Sequence, residues 1–221
     1  MSMNAKWEAG NLVFYEPPYR MRWLYAMGPT AITFNSGLTP STGLWTATAV
    51  GASTFVGNNG GYLLTTAGAD NDGISAQVSN GGFSFAANKK TYFGCKVTLS
   101  EATQIDMLVG LCVADTALLG GVADGAYFEC LDGGTGISVV TEVGAAETQT
   151  DSMGTMDTNA HIYELFGDNS NIDFYIDGAL VTSHTAGITA VTDLCVSVEV
   201  LTGDNSAETA TIDWVRAVQV G

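Results

Sequence analysis

Basic residues are scarce in this chain and missing from its centre. Of 221 residues, 7 are Lys or Arg against 23 Asp or Glu, a formal net charge of -16. Between Lys96 and Arg216 there is no Lys or Arg, while nineteen acidic residues fall in that stretch. An acidic body of this kind repels phosphate backbones and anionic headgroups, which argues against nucleic-acid and membrane partners. No run of about 18 apolar residues is present, so no bilayer-spanning helix is expected. The opening MSMNAKWEAG lacks an apolar stretch after its lysine, so no secretory signal is expected either. The four cysteines, Cys95, Cys112, Cys130 and Cys195, form no C-x-x-C pair, which removes the usual zinc and redox motifs. Each lies in an apolar, strand-like run and is expected as a free, buried thiol. The two histidines, His161 and His184, are too far apart to give a metal triad by spacing and are expected at strand ends. G-x-S-x-G and phosphate-binding glycine loops are absent as well.

What is present points to strands. Apolar residues make up 46% and charged residues 14%, with 27 glycines, a composition that folds and turns often. In KTYFGCKVTL, Phe93, Cys95, Val97 and Leu99 share one face while Tyr92, Gly94, Lys96 and Thr98 share the other. In QIDMLVGLCVAD both faces are apolar, which predicts a central strand covered on two sides, and DTALLG predicts one short helical turn. NIDFYIDGALVTSH predicts a hairpin. Asp177-Gly178 is the two-residue turn that needs positive φ at both positions, pairing Ile176 with Ala179 and Phe174 with Val181. Some fourteen short strands with turn signals between them predict an all-β, two-sheet antiparallel sandwich.

The first 45 residues hold eight aromatics and three of the seven basic residues. Residues 1–29 are expected to be an N-terminal arm, with 30–221 the sandwich. Trp, Tyr and Arg are the usual energetic anchors of interfaces, so Trp7, Tyr15, Tyr19, Arg20, Arg22 and Trp23 are the expected docking residues. Sugar-cleaving sandwiches need two carboxyls about 5–5.5 Å or 6.5–9.5 Å apart, a pair that residues i and i+2 of one strand can supply. The nearest string, Glu129-Cys130-Leu131-Asp132, spaces its acids by three, and Asp173 and Asp177 lie four apart, so no enzyme activity is expected. Asp70-Asn71-Asp72-Gly73 begins like a calcium loop without its distant Glu, making Asp70 and Asp72 the only metal candidates and an Asx turn the plainer account. Trp45, Tyr62 and Tyr127 are the aromatics that could line a sugar groove. No cofactor is expected.

The strings NLVFYE, WLYAMGPTAITF, GYLLTTAGADNDGISAQ, GAYFECLD, NIDFYIDGALVT and TIDWVRAVQV resemble those of bacteriophage capsid decoration (cement) proteins built on a concanavalin A-like jelly roll. The resemblance implies that fold, a virion location on the capsid surface after assembly in the host cytoplasm, and the major capsid protein as partner. It also implies several copies per particle or a homo-oligomer, and it assigns no catalytic residue. A surface glycan is the alternative ligand.

Overall fold

The computed structural model describes the strand backbones at 4–8, 11–15 and 21–27, and both backbone and side chains over 45–58, 61–78, 82–185 and 191–219. Period-two alternation sorts these residues into two large antiparallel sheets. The seven-stranded sheet runs β12 (Ala146–Thr155), β11 (Gly136–Val143), β10 (Gly125–Cys130), β9 (Ile105–Cys112), β16 (Cys195–Thr202), β7 (Gly73–Val78), β4 (Trp45–Val50). The second runs β15 (Ala179–Thr185), β14 (Asn171–Ile176), β13 (His161–Gly167), β8 (Lys90–Leu99), β17 (Thr209–Val220), β6 (Gly61–Thr65), β5 (Thr54–Asn58). Its eighth strand, β3 (Met21–Met27), pairs with the far half of β17, next to the stretch that pairs with β6. β1 (Asn4–Glu8) and β2 (Asn11–Tyr15) form a two-stranded sheet of their own. Outside the named strands, Phe83 makes an isolated bridge to Leu194.

The core lies between the two sheets. From β9 come Ile105, Met107, Val109 and Leu111, and from β8 Phe93, Cys95, Val97 and Leu99, all nearly inaccessible to solvent. Phe128 of β10 reaches across to Tyr163 of β13 at 5.3 Å and Phe174 of β14 at 5.4 Å between ring centroids, stitching one sheet to the other. All four cysteines are free and buried. Desolvation raises the thiol pKa of Cys130 to about 11 and holds the others it shifts higher still, so these groups act as apolar filling.

The Asp177-Gly178 turn forms as expected, with φ of 52° and 77° and Ile176 opposite Ala179. One pairing differs. A bulge between Phe174 and Tyr175 sets Phe174 opposite Thr182, not Val181, and shifts every later pair by one. A one-residue slip exchanges faces, so it is His184 that turns inward opposite Ile172. His184 lies near the end of β15 as expected but is buried, not at the surface. Its ring lies edge-on to Phe174, and its Nδ1 and Nε2 meet the hydroxyls of Thr141 (β11) and Thr150 (β12), each at 2.9 Å. Desolvation lowers its pKa and keeps the imidazole neutral, one nitrogen donating and the other accepting. His161 behaves oppositely. Burial works against its charge, but hydrogen bonds from its ring to Asp177 and Asp157, with their charges, raise its pKa.

Candidate functional site

The chemistry gathers on the outer face of the seven-stranded sheet. Along β9 the residues that alternate with the core set are Asp106, Leu108, Gly110 and Cys112. Register then fixes their neighbours. Leu108 has Glu129 of β10 on one side and Glu199 of β16 on the other, and Ser75 of β7 lies beyond Glu199. One row along, Gly110 sits between Ser197 and Tyr127, followed by Gln77 and Val140 at the two sides. A Cβ on Gly110 would stand 2.4 Å from the Ala126 carbonyl oxygen and 2.6 Å from Tyr127 Cα, so the glycine is what lets Tyr127 lie over β9.

A loop from Val113 to Asp124 lies over the middle of this face. Gln77 holds its start, donating from Nε2 to the Val113 carbonyl at 2.9 Å and accepting the Asp115 N–H at 2.8 Å. Glu199 accepts the N–H of Leu119 at the 3₁₀ turn Leu118–Gly120. The loop then closes with Val113 N–H on the Asp124 carbonyl at 2.9 Å. Beneath it Leu118 and Val122 pack on Leu108, Cys112, Tyr127 and Val140, a small apolar cluster outside the main core. The short helical turn and the two-sided cover of β9 both match the sequence reading.

Beside that cluster the face is acidic. Six carboxylates (Asp106, Glu129, Glu142, Glu147, Asp151 and Glu199) lie on the strands of this sheet, and none of its seven strands carries a Lys or Arg. Burial, then the charges of Glu147, Glu142, Asp151 and Asp106, raise Glu129 to about 7. Asp106 is raised by burial and by the charges of Asp132 and Asp70, against the pull of the Asp132 N–H that it accepts. Glu199 is raised by burial and by Asp115 and Asp106, while the N–H groups of Leu119 and Leu118 oppose the shift. These are carboxylates whose neighbours resist ionisation together.

Several sequence-predicted residues take other places. Trp45 and Tyr62 are core residues, not groove aromatics, because Trp45 Nε1 donates to the Tyr62 hydroxyl at 3.0 Å and both stack on Phe55. Tyr127 is on the outer face but buried under the loop, donating to Glu142 at 3.2 Å. Asp72 accepts the N–H of Ala69, three residues back, at 3.2 Å, and Asn71 beside it has φ 64°. Among the described residues, no group of three or more His, Cys, Asp or Glu side chains is placed to hold a metal ion. Of the docking residues, Trp7 lies on β1, Tyr15 on β2, and Arg22 and Trp23 on β3, while Tyr19 and Arg20 lie outside the described residues. The acids Asp106, Glu129 and Glu199 went unseen as a group because each comes from a different strand.

No family model and no curated protein matches the chain. Solved structures do match. One, from work on endo-acting O-glycanases that human gut microbiota express to initiate mucin breakdown, aligns with a TM-score of 0.66 at 12% identity, covering 88% of this chain and 98% of its own. A Bacillus licheniformis β-glucanase aligns at 0.61 and 14% identity over 88% and 97%. The fold is a concanavalin A-like jelly roll. The potassium-bound carbohydrate recognition domain of Emp46p shares it too, with a TM-score of 0.59 at 12% identity over 79% of this chain and 88% of its own. At such identities the likeness establishes the jelly roll alone. It also corrects the expectation that the chain is no enzyme: endo-glucanases share this fold along nearly its whole length, so catalysis is not excluded by it. That expectation rested on acids spaced along one strand, whereas the sheet brings its acids together across strands.

Proposed function

We propose that this jelly roll binds carbohydrate on the outer face of its seven-stranded sheet, beside the Val113–Asp124 loop. The observation that carries the reading is the cross-strand array of hydroxyl, amide and carboxylate groups there, the group types that pair with sugar hydroxyls. Ser138, Gln149 and Asp151 extend it to the β12 edge in one hydrogen-bonded set. Carbohydrate recognition domains and glucanases among the structural neighbours support the same reading. Glu129 and Glu199 do not face each other across a vacant trough. They stand two strands apart, roughly 10 Å by backbone spacing, and Leu118 packs on Leu108 between them. Affinity electrophoresis against a panel of soluble polysaccharides tests the proposal. Retardation by at least one polymer is expected, and Glu129→Gln weakens it by about threefold or more, as for loss of one charge-assisted hydrogen bond. Migration unaltered by every polymer overturns it. Reducing ends released in the same mixtures tell a recognition domain from a hydrolase.

A second reading concerns where the sandwich is held. The separate β1–β2 sheet supports an N-terminal attachment device, for which the virion surface and the major capsid protein are the expected location and partner. Because β3 is paired with β17, the truncation that leaves the eight-stranded sheet whole is removal of 1–20. Loss of co-sedimentation with assembled capsids is expected for that truncation, and unchanged occupancy counts against the reading.

A further inference from the structure

Different polar links close the two edges of the sandwich. Near the β4 edge Trp45 donates to the Tyr62 hydroxyl at 3.0 Å, a pair that stays neutral because desolvation raises Tyr62 above its ordinary 10.0. At the β12–β15 edge the link is His184. It stands on β15 of the eight-stranded sheet, and its ring nitrogens meet Thr141 and Thr150 in the other sheet. β15 is an edge strand bonded to β14 alone, so its far end can peel away with the loss of few ladder bonds. No carboxylate faces the ring among the described residues. Phe174 and Ile172 of β14, Thr141 of β11 and Thr150 of β12 surround it. The acids of these strands alternate to the outer faces, where Asp173 takes the Ser183 hydroxyl, Glu142 that of Tyr127 and Asp151 that of Ser138, and Glu147 pairs in register with Glu142. Asp168, in the β13–β14 turn, accepts the N–H groups of Ser170 and Asn171. On the inner faces of the next strands the titratable groups are Tyr163 and Cys130, both kept neutral by burial.

We infer that β15 is an acid-released latch: protonation of His184 frees its 182–185 end from the sandwich, while the Asp177-Gly178 end stays fastened. An imidazolium held against Phe174 and two hydroxyls, at 5% exposure, has no counter-charge, so it is stable only once the strand end lifts. Protonation also turns both ring nitrogens into donors and ends the arrangement in which one donates and the other accepts. Desolvation lowers the pKa of His184 in the closed state. The latch therefore holds fully above the ordinary 6.5 and loses its hold as pH falls below that value. At the turn the sign is reversed. His161 meets Asp177 at 2.7 Å and Asp157 at 3.0 Å, and acid supplies the second ring N–H that these two contacts use. Burial works against that charge, but the two carboxylates raise the pKa, so this fastening is fullest below 6.5 and fades as pH rises through the raised value. Acid thus leaves the hairpin hinged at its turn and free at its other end. Glu129, raised to about 7, gains a proton in the same range, but there acid relieves repulsion and favours the closed fold.

The test is amide hydrogen exchange of the whole protein, followed residue by residue by NMR at pH 7 and pH 5 and corrected for the intrinsic exchange rate. Opening at 182–185 is expected to rise by about fivefold or more between the two, the factor for a base that takes its proton near 6.5 only in the open state. The ladder amides of β9 and β16, at the centre of the other sheet, should keep their protection. His184→Gln, whose amide also offers a donor and an acceptor but does not titrate, should abolish the rise. Titration of the His184 ring signals in the parent protein should give a midpoint below 6.5. That measurement and the parent's exchange need no variant, so they decide the matter even where the substitution does not fold. Equal exchange at 182–185 at the two pH values overturns the inference, as does a His184 ring that titrates at or above 6.5. A rise of the same size at β9 and β16 also overturns it, because it marks loosening of the whole fold. Persistence of the rise in His184→Gln assigns it to another group and overturns the inference as well.

Discussion

Phe128→Ala should lower the unfolding free energy by about 3–5 kcal/mol, the usual cost of emptying a fully buried aromatic site. The ring is 0% exposed, and its two aromatic partners belong to the opposite sheet. Truncation therefore removes transfer energy and leaves a cavity at the seam, where closure would require one sheet to move against the other. In a chain of this length each kcal/mol shifts the midpoint by roughly 2–4 °C, so a fall on the order of 10 °C is expected in a calorimetric scan. Val56→Ala is the reference substitution. Val56 is 41% exposed on β5, where changes are worth about 0.5 kcal/mol or less. Equal effects of the two substitutions would show that Phe128 is not the link between the sheets.

The sandwich was legible wherever a strand buries one face and wets the other. β8 announces itself in this way, β16 by alternation although both its faces are covered, and β9 by apolar residues on both faces. β12 gave no such signal. AETQTDSMGT has polar residues on both faces, because an edge strand needs only its backbone ladder with β11 and leaves its side chains in water. The bulge opposite Phe174 was illegible for a different reason. An extra residue keeps the local alternation intact on each side of it, so only the partner strand reveals which face follows. The burial of His184 near the end of β15 was hidden as a result, though the turn that starts the hairpin was read correctly.

The acidic patch on the outer face was hidden by the same geometry that builds it. A search for sugar-handling acids along one strand samples residues i and i+2, whereas Asp106, Glu129 and Glu199 share one face across the β10–β9–β16 ladder. Each acid alone resembles a solvated strand residue. Their joint burial, and the absence of a basic residue from all seven strands, become visible only once register is known. What the sequence did carry was the regional charge, the long span from Lys96 to Arg216 without a cation. That span contains every strand of the sheet except β7 and β4.

Leu118→Ala should expose Cys112 to a thiol reagent on the order of a hundredfold faster than in the parent protein, for a Leu→Ala loss of about 2–4 kcal/mol at the loop. Leu118 is 1% exposed and is the larger of two apolar anchors of the Val113–Asp124 loop, beside Val122 and the polar holds of Gln77 and Glu199. Cys112 lies in the cluster under that loop, whereas Cys95 lies between the sheets. Labelling of Cys112 reports loop opening, and labelling of Cys95 reports opening of the sandwich. Desolvation raises both thiols, so neither reacts until its cover lifts, and the two share that starting point. Peptide mapping after maleimide treatment should therefore show Cys112 modified early and Cys95 late. A parallel rise at both cysteines would mean that the substitution loosens the whole fold. No rise at Cys112 would mean that Val122 and the polar holds of Gln77 and Glu199 keep the loop down without Leu118.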